Sequence, residues 1–137
     1  MEYLCLKPGL KKLPKINFDM FRCVIVAECQ VSSDWRSFIS TWVLEQGCQY
    51  MLVCGVDADS WEVAFDQSGF TLKKLGKISN NNLLMSISYG DESLSEVFWL
   101  AKNASFHPSL ELDNTLLFHI SEGQEDKGRF LDLWRVI

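Results

Sequence analysis

Apolar and polar positions divide the chain into segments of two kinds. Phe21–Glu28 (FRCVIVAE) is an apolar run rich in β-branched residues, the pattern of a strand covered on both faces. Cys48–Gly55 (CQYMLVCG), Leu83–Tyr89 (LLMSISY) and Thr115–Ser121 (TLLFHIS) read the same way. Between these runs the period changes. In SSDWRSFISTWVLEQG, residues Trp35, Phe38, Ile39, Trp42 and Val43 fall at i, i+3, i+4, i+7 and i+8, one stripe of a helix, with Leu44 opposite it. Ser32 or Ser33 can cap its start, and Gly47 stands where a left-handed residue ends a helix. Ser60–Ser68 places Trp61, Ala64, Phe65 and Ser68 on one face and predicts a short helix. FTLKKLGKISNNN then reads as a polar connection with space for a brief edge strand at Phe70–Lys73. Leu94, Val97, Phe98 and Ala101 stripe a third helix, opened by the capping box Ser93-x-x-Glu96 and closed before Pro108. The last segment, GRFLDLWRVI, is amphipathic, but its period does not choose between helix and strand.

Strands alternating with helices predict an α/β fold: a single three-layer α-β-α domain over residues 1–137. Its sheet is expected to be mainly parallel, of four or five strands, with helices on both faces. Residues 1–20 fall outside this rhythm and read as a basic N-terminal arm. In such a fold every strand delivers its carboxyl end to one rim, where open α/β sheets place their sites.

Composition narrows the class. With 47% hydrophobic and 23% charged residues the chain has the balance of a globular domain and not of a disordered one. No apolar run approaches the roughly 20 residues of a membrane span, and the N-terminus lacks the apolar core of a secretory signal. A cytoplasmic location is the expectation. Five cysteines (Cys5, Cys23, Cys29, Cys48, Cys54) with no CxxC pair and no zinc-site spacing fit reduced thiols. The formal net charge is −5, unevenly spread: residues 1–20 carry +2, so the remainder carries −7. That body repels nucleic acid and attracts cationic partners.

The acids gather where the predicted strands end: Glu28 after the first, Asp57 and Asp59 after the second, Asp91 and Glu92 after the third, and Glu122 after the fourth. Three kinds of chemistry place acids there. Helix starts favour negative charge by about 0.3–1 kcal/mol per residue, and Asp59 heads D-S-W-E as an N-cap with Glu62 as capping-box partner. Alternatively, Glu28, Asp57 and Asp91 could offer oxygen ligands to Mg²⁺. The third reading is an acidic docking face, with Glu28, Asp57, Asp59, Asp91 and Glu92 steering a cationic protein. Trp99 points about 140 degrees from Leu94 on its helix, away from the buried stripe, and is the candidate aromatic anchor.

Other chemistry is sparse. GxGxxG, GxxxxGK[ST] and GxSxG are all absent, and no cofactor is expected. Of the two histidines, His119 sits inside TLLFHI and reads as a hydrogen-bonded core residue, and His107 precedes Pro108 in a loop. No catalytic residue is assigned.

Trp35 and Trp42, GCQYM at Gly47–Met51, Ser60-Trp61, EVFWLAK at Glu96–Lys102, His107-Pro108 and TLLFHI at Thr115–Ile120 together resemble a family of small bacterial proteins of unknown function. The likeness spans about residues 21–121 and implies a bacterial cytoplasmic α/β domain. This chain carries Ser88-Tyr89 where a histidine is expected, so no histidine-based site carries over. In profile the chain is also similar to immunity proteins of bacterial toxin–immunity pairs, which are short, acidic and without a reaction motif. The expected function is therefore a non-enzymatic acidic protein that binds and neutralises a cationic toxin, most specifically a nuclease domain, without contacting nucleic acid or membrane itself. A Mg²⁺-dependent phosphoryl-transfer or hydrolytic enzyme and a self-associating regulatory domain are the alternatives.

Overall fold

The computed structural model describes residues 1–137. Five segments become strands: β1 (Glu2–Leu6), β2 (Phe21–Ala27), β3 (Cys48–Gly55), β4 (Met85–Tyr89) and β5 (Thr115–Ile120). They form one sheet in the order β1-β5-β2-β3-β4, with every neighbouring pair parallel. Helices α1 (Ser33–Glu45) and α2 (Ala58–Lys74) cover one face, and α3 (Leu94–Asn103) and α4 (Lys127–Arg135) cover the other. This is the three-layer α/β architecture that the alternation of segments predicts.

Strand parity divides the core in two. Cys23, Ile25 and Ala27 of β2 join Met51, Val53, Leu116 and Phe118 under α1 and α2. Val24 and Val26 point the other way and meet Leu52, Leu117, Val97, Phe98 and Phe130 under α3 and α4. Both faces of the three central strands are covered, which is why they read as unbroken apolar runs and not as alternations. From β2 the chain steps outward through β3 to β4, and α3 then carries it back to β5. Beyond β5 it turns the opposite way, and α4 packs over β1 and against α3. The connections therefore diverge between β5 and β2, opening a crevice at the carboxyl rim.

The N-terminal residues are not a free arm. Glu2–Leu6 pair in register with Leu116–Ile120, and Leu6 is fully buried. The edge of β5 would otherwise be open, and a five-residue segment suffices to close it. Residues 7–20 return as a strap along α1. Leu13, Ile16 and Phe18 pack on the core, Trp35 Nε1 donates to the Leu10 carbonyl (2.8 Å), and the Ile16 amide donates to Gln46 Oε1 (3.2 Å). The lysines of the strap stay exposed.

The helices also differ from expectation in places. α2 runs 17 residues through Phe70–Lys73, so no edge strand forms there. Its buried stripe simply continues, from Trp61, Ala64, Phe65 and Ser68 to Leu72, while Phe70 faces solvent. In α1 the buried side is Trp35, Ile39, Ser40, Val43 and Leu44, with Phe38 43% exposed. Because α2 lies alongside α1, the covered arc rotates toward Leu44 and away from Phe38. The final segment is helical. Pairing in β4 begins at Met85, two residues later than its apolar run, and β5 ends at Ile120.

One turn sets the geometry of the rim. Gly55 ends β3 at φ +96°, where a Cβ would stand 2.1 Å from the carbonyl oxygen of Ala27. That same oxygen accepts the Val56 amide at 2.8 Å, tying the end of β3 to the end of β2. Only glycine fits so close an approach.

Candidate functional site at the carboxyl rim

Two surfaces of different character share the rim. The first is the β5–β2 crevice. Val26 and His119 are register partners, so their side chains share a face, and Glu28, two residues past Val26, falls on that face as well. Glu28 bonds His119 Nε2 through its carboxylate, and Arg129 Nη2 approaches the same oxygen at 3.8 Å. Behind His119, Tyr3 Oη lies 2.6 Å from Nδ1. The Asp126 amide donates to Tyr3 Oη (2.9 Å). A carboxylate can only accept, so His119 Nε2–H donates to Glu28, and Nδ1 of that neutral tautomer accepts the phenolic proton of Tyr3. The chain Asp126–Tyr3–His119–Glu28 thus has one consistent donor order with a neutral imidazole. Arg129 Nε also pairs with Asp126 at 2.6 Å. Burial is the main reason the Tyr3 phenol is pushed up to about 12.

Beside this chain is a pocket of about 230 Å³ lined by Glu28, Cys54, Gly55, Glu92, Arg129 and Phe130. Burial pushes the Cys54 thiol up to about 11, so it is protonated at neutral pH and a poor nucleophile. Glu28 here is a fixed acceptor whose charge Arg129 partly offsets. At the end of β2 the acid is therefore met by an arginine of α4, a helix that the sequence pattern does not resolve.

The second surface is the corner where β3 and β4 end. Asp57, Asp59, Asp91 and Glu92 are all exposed, and none pairs with a lysine or arginine of the chain. Asp59 does not cap α2. It lies in the first turn, and Ser88 Oγ of β4 donates to its carboxylate at 2.6 Å. Asp57 occupies the cap position at φ 54°, ψ 36°, but its side chain makes no capping bond. A capping residue normally has an extended backbone, and the left-handed one of Asp57 departs from it. Two further acids join from the same face of α2: Glu62, 3.2 Å from Ser88 Oγ, and Asp66, which accepts from Ser86 Oγ at 2.6 Å.

Glu28, Asp57 and Asp91 do not assemble a metal centre, since no group of three or more His, Cys, Asp or Glu side chains converges to hold an ion. Trp99 is 52% exposed but sits five residues down α3, about 7 Å from the helix start at the rim. It lies on α3, across the sheet from the acids of α2, and is not a member of the corner. His107 has a structural place: it bonds the Leu83 carbonyl through Nε2 (2.6 Å) and accepts the Ser109 amide at Nδ1 (3.1 Å).

His119 is a buried, hydrogen-bonded residue of a central strand, as its setting in TLLFHI suggests. Its partners Glu28 and Tyr3 have no local signal, because they come from 91 and 116 residues away in the chain. Parity alone would have joined Glu28 to His119 had the β5–β2 adjacency been known.

No helix is long and apolar enough to cross a membrane. No curated protein and no solved structure matches the chain. A domain of unknown function, DUF7684, matches it over residues 1–136, and the chain belongs to that family.

Proposed function

We propose that the protein is a non-catalytic binding protein whose acidic β3–β4 corner captures a cationic protein. One observation carries this reading: Asp57, Asp59, Asp91 and Glu92 are exposed together at the ends of adjacent strands, and none forms an ion pair with a lysine or arginine of the chain. Uncompensated like charge raises the free energy of the unbound surface, and a cationic partner relieves it. It also speeds encounter, by factors of about 10–1,000 where charges are concentrated. Glu28 contributes less, because Arg129 and His119 already occupy it. Trp99 is a peripheral aromatic contact in this arrangement.

The more specific form of the reading is an immunity-type inhibitor of a basic toxin nuclease domain. A nuclease must hold a polyanion and so carries positive charge at its working surface. A chain of net charge −5 with a concentrated acidic corner complements that surface and competes with its substrate. The test is affinity capture on immobilised protein at low and high salt, repeated with the Asp57→Asn/Asp91→Asn variant. The reading expects a basic protein held stoichiometrically by the wild type, released by the variant, and inhibited as a nuclease by the wild type in solution. Capture that is indifferent to Asp57 and Asp91 would sink the reading.

A further inference from the structure

We propose that the free edge of β4 is the docking strand of this surface, and that the partner adds an extended, alternately basic segment to it as a sixth strand. The inference rests on the reading above for the sign of the partner's charge.

β4 is the last strand of the sheet, paired only with β3. No turn, loop or side-chain hydrogen bond reaches the backbone of Met85–Tyr89, so the amides and carbonyls on its outer side have no partner within the chain. Natural edges are usually blunted by a proline, a lysine, a bulge or a covering element. MSISY has neither proline nor lysine, and its register with β3 runs from Tyr50↔Met85 to Cys54↔Tyr89 without a shift. Strand addition to such an edge is a recurrent mode of peptide recognition.

The side chains state what kind of strand fits. On the α2 side of β4 stand only Ser86 and Ser88, whose hydroxyls hold Asp66 and Asp59 against the edge. Asp59, Glu62 and Asp66 follow one face of α2 over about 10 Å. Side chains on one face of a strand repeat every 6–7 Å, so two or three basic residues at alternate positions of an added strand meet this row. On the other side, Ile87 and Tyr89 are half-buried apolar residues packed beside Tyr50 and Leu94. The intervening partner residues are therefore apolar. A second copy paired β4 to β4 is disfavoured, because it brings two rows of acids together.

The probe is a blocked nonapeptide of alternating lysine and valine, titrated into ¹⁵N-labelled protein. Binding is expected to slow exchange of outward-facing β4 amides at least tenfold. It should weaken at least tenfold in the Asp59→Asn/Glu62→Gln/Asp66→Asn variant. Two N-methylated peptides, blocked at alternate residues in opposite phases, separate pairing from attraction: one phase should lose at least tenfold in affinity and the other should not. Equal binding of both phases without protection at β4 overturns the edge proposal and leaves the charged-surface reading standing. Salt-resistant capture of a basic protein with no β4 protection does the same. A peptide-free dimer protected at β4 makes a second copy the occupant and also overturns the proposal. If neither the peptide nor any basic protein binds, both readings fall.

Discussion

Replacing Gly55 by alanine tests the turn on which the acidic corner is built. Two costs separate cleanly. The first is conformational: a side chain at φ +96° costs about 1–2 kcal/mol. The second is steric, since the new Cβ would lie 2.1 Å from Ala27 O, where ordinary contacts begin at 3.4 Å. The ends of β2 and β3 must then part by more than an ångström. That breaks the Val56 amide bond to Ala27 O, worth about 0.5–1.5 kcal/mol, and the displaced backbone loses about 1 kcal/mol of packing besides. The total is about 3–4 kcal/mol. Gly9 is the control, because it has φ +84° but nothing within 4 Å of its would-be Cβ. Gly9→Ala should cost only the conformational part, about 1–2 kcal/mol. Urea unfolding at neutral pH, followed by tryptophan fluorescence, measures both. With a slope of about 2 kcal/mol per molar, the two midpoints should differ by about 1 M. Midpoints within about 0.3 M of each other would refute the close approach of β3 to Ala27, and with it the placement of Asp57.

Further outcomes follow from the buried groups. Tyr3→Phe removes the donor to His119 Nδ1 and should cost about 1–3 kcal/mol by urea unfolding. Because burial raises the Tyr3 phenol from 10.0 to about 12, the unfolded chain loses that proton first. Its contribution is complete below pH 10 and is lost as pH rises toward 12, so the variant should show a smaller alkaline loss of stability than the wild type. Cys23, Cys48 and Cys54 are buried while Cys5 and Cys29 are partly exposed, so a thiol reagent at pH 8 should label at most two cysteines natively and all five in denaturant. Trp61 is 1% exposed and packs edge-on against Trp35, so Trp61→Ala should cost about 3–5 kcal/mol. Trp99→Ala, at a half-exposed position, should change stability by less than about 0.5 kcal/mol in the same assay.

Local patterns carried much of the architecture. β2, β3 and β5 were legible because burial on both faces leaves no polar alternation to confuse them with amphipathic helices. The Ser32 and Ser93 caps were legible because a cap is a contact between residues three apart, and both form, with the Trp35 and Glu96 amides as donors. β1 is not legible, since EYLCL is too short to declare itself and becomes a strand only by lying against β5. The length of α2 is not legible either, because polar residues around Phe70–Lys73 mark an exposed helical face as readily as a loop.

The same division holds at the rim. That acids follow the strands is a property of the chain order, and it needs no coordinates. Which of them remain unpaired is not. Glu28 and Asp57 look alike in sequence, yet one meets His119 and Arg129 while the other faces solvent. The difference arises from the strand order β5-β2-β3-β4, which depends on long-range packing that short-range periodicity does not encode. The sequence alone determined the layers, the three central strands, the helices that follow β2 and β4, and the excess of acid. Only the tertiary structure decided which carboxylates are neutralised, because an ion pair needs two groups brought within a few ångströms from distant parts of the chain.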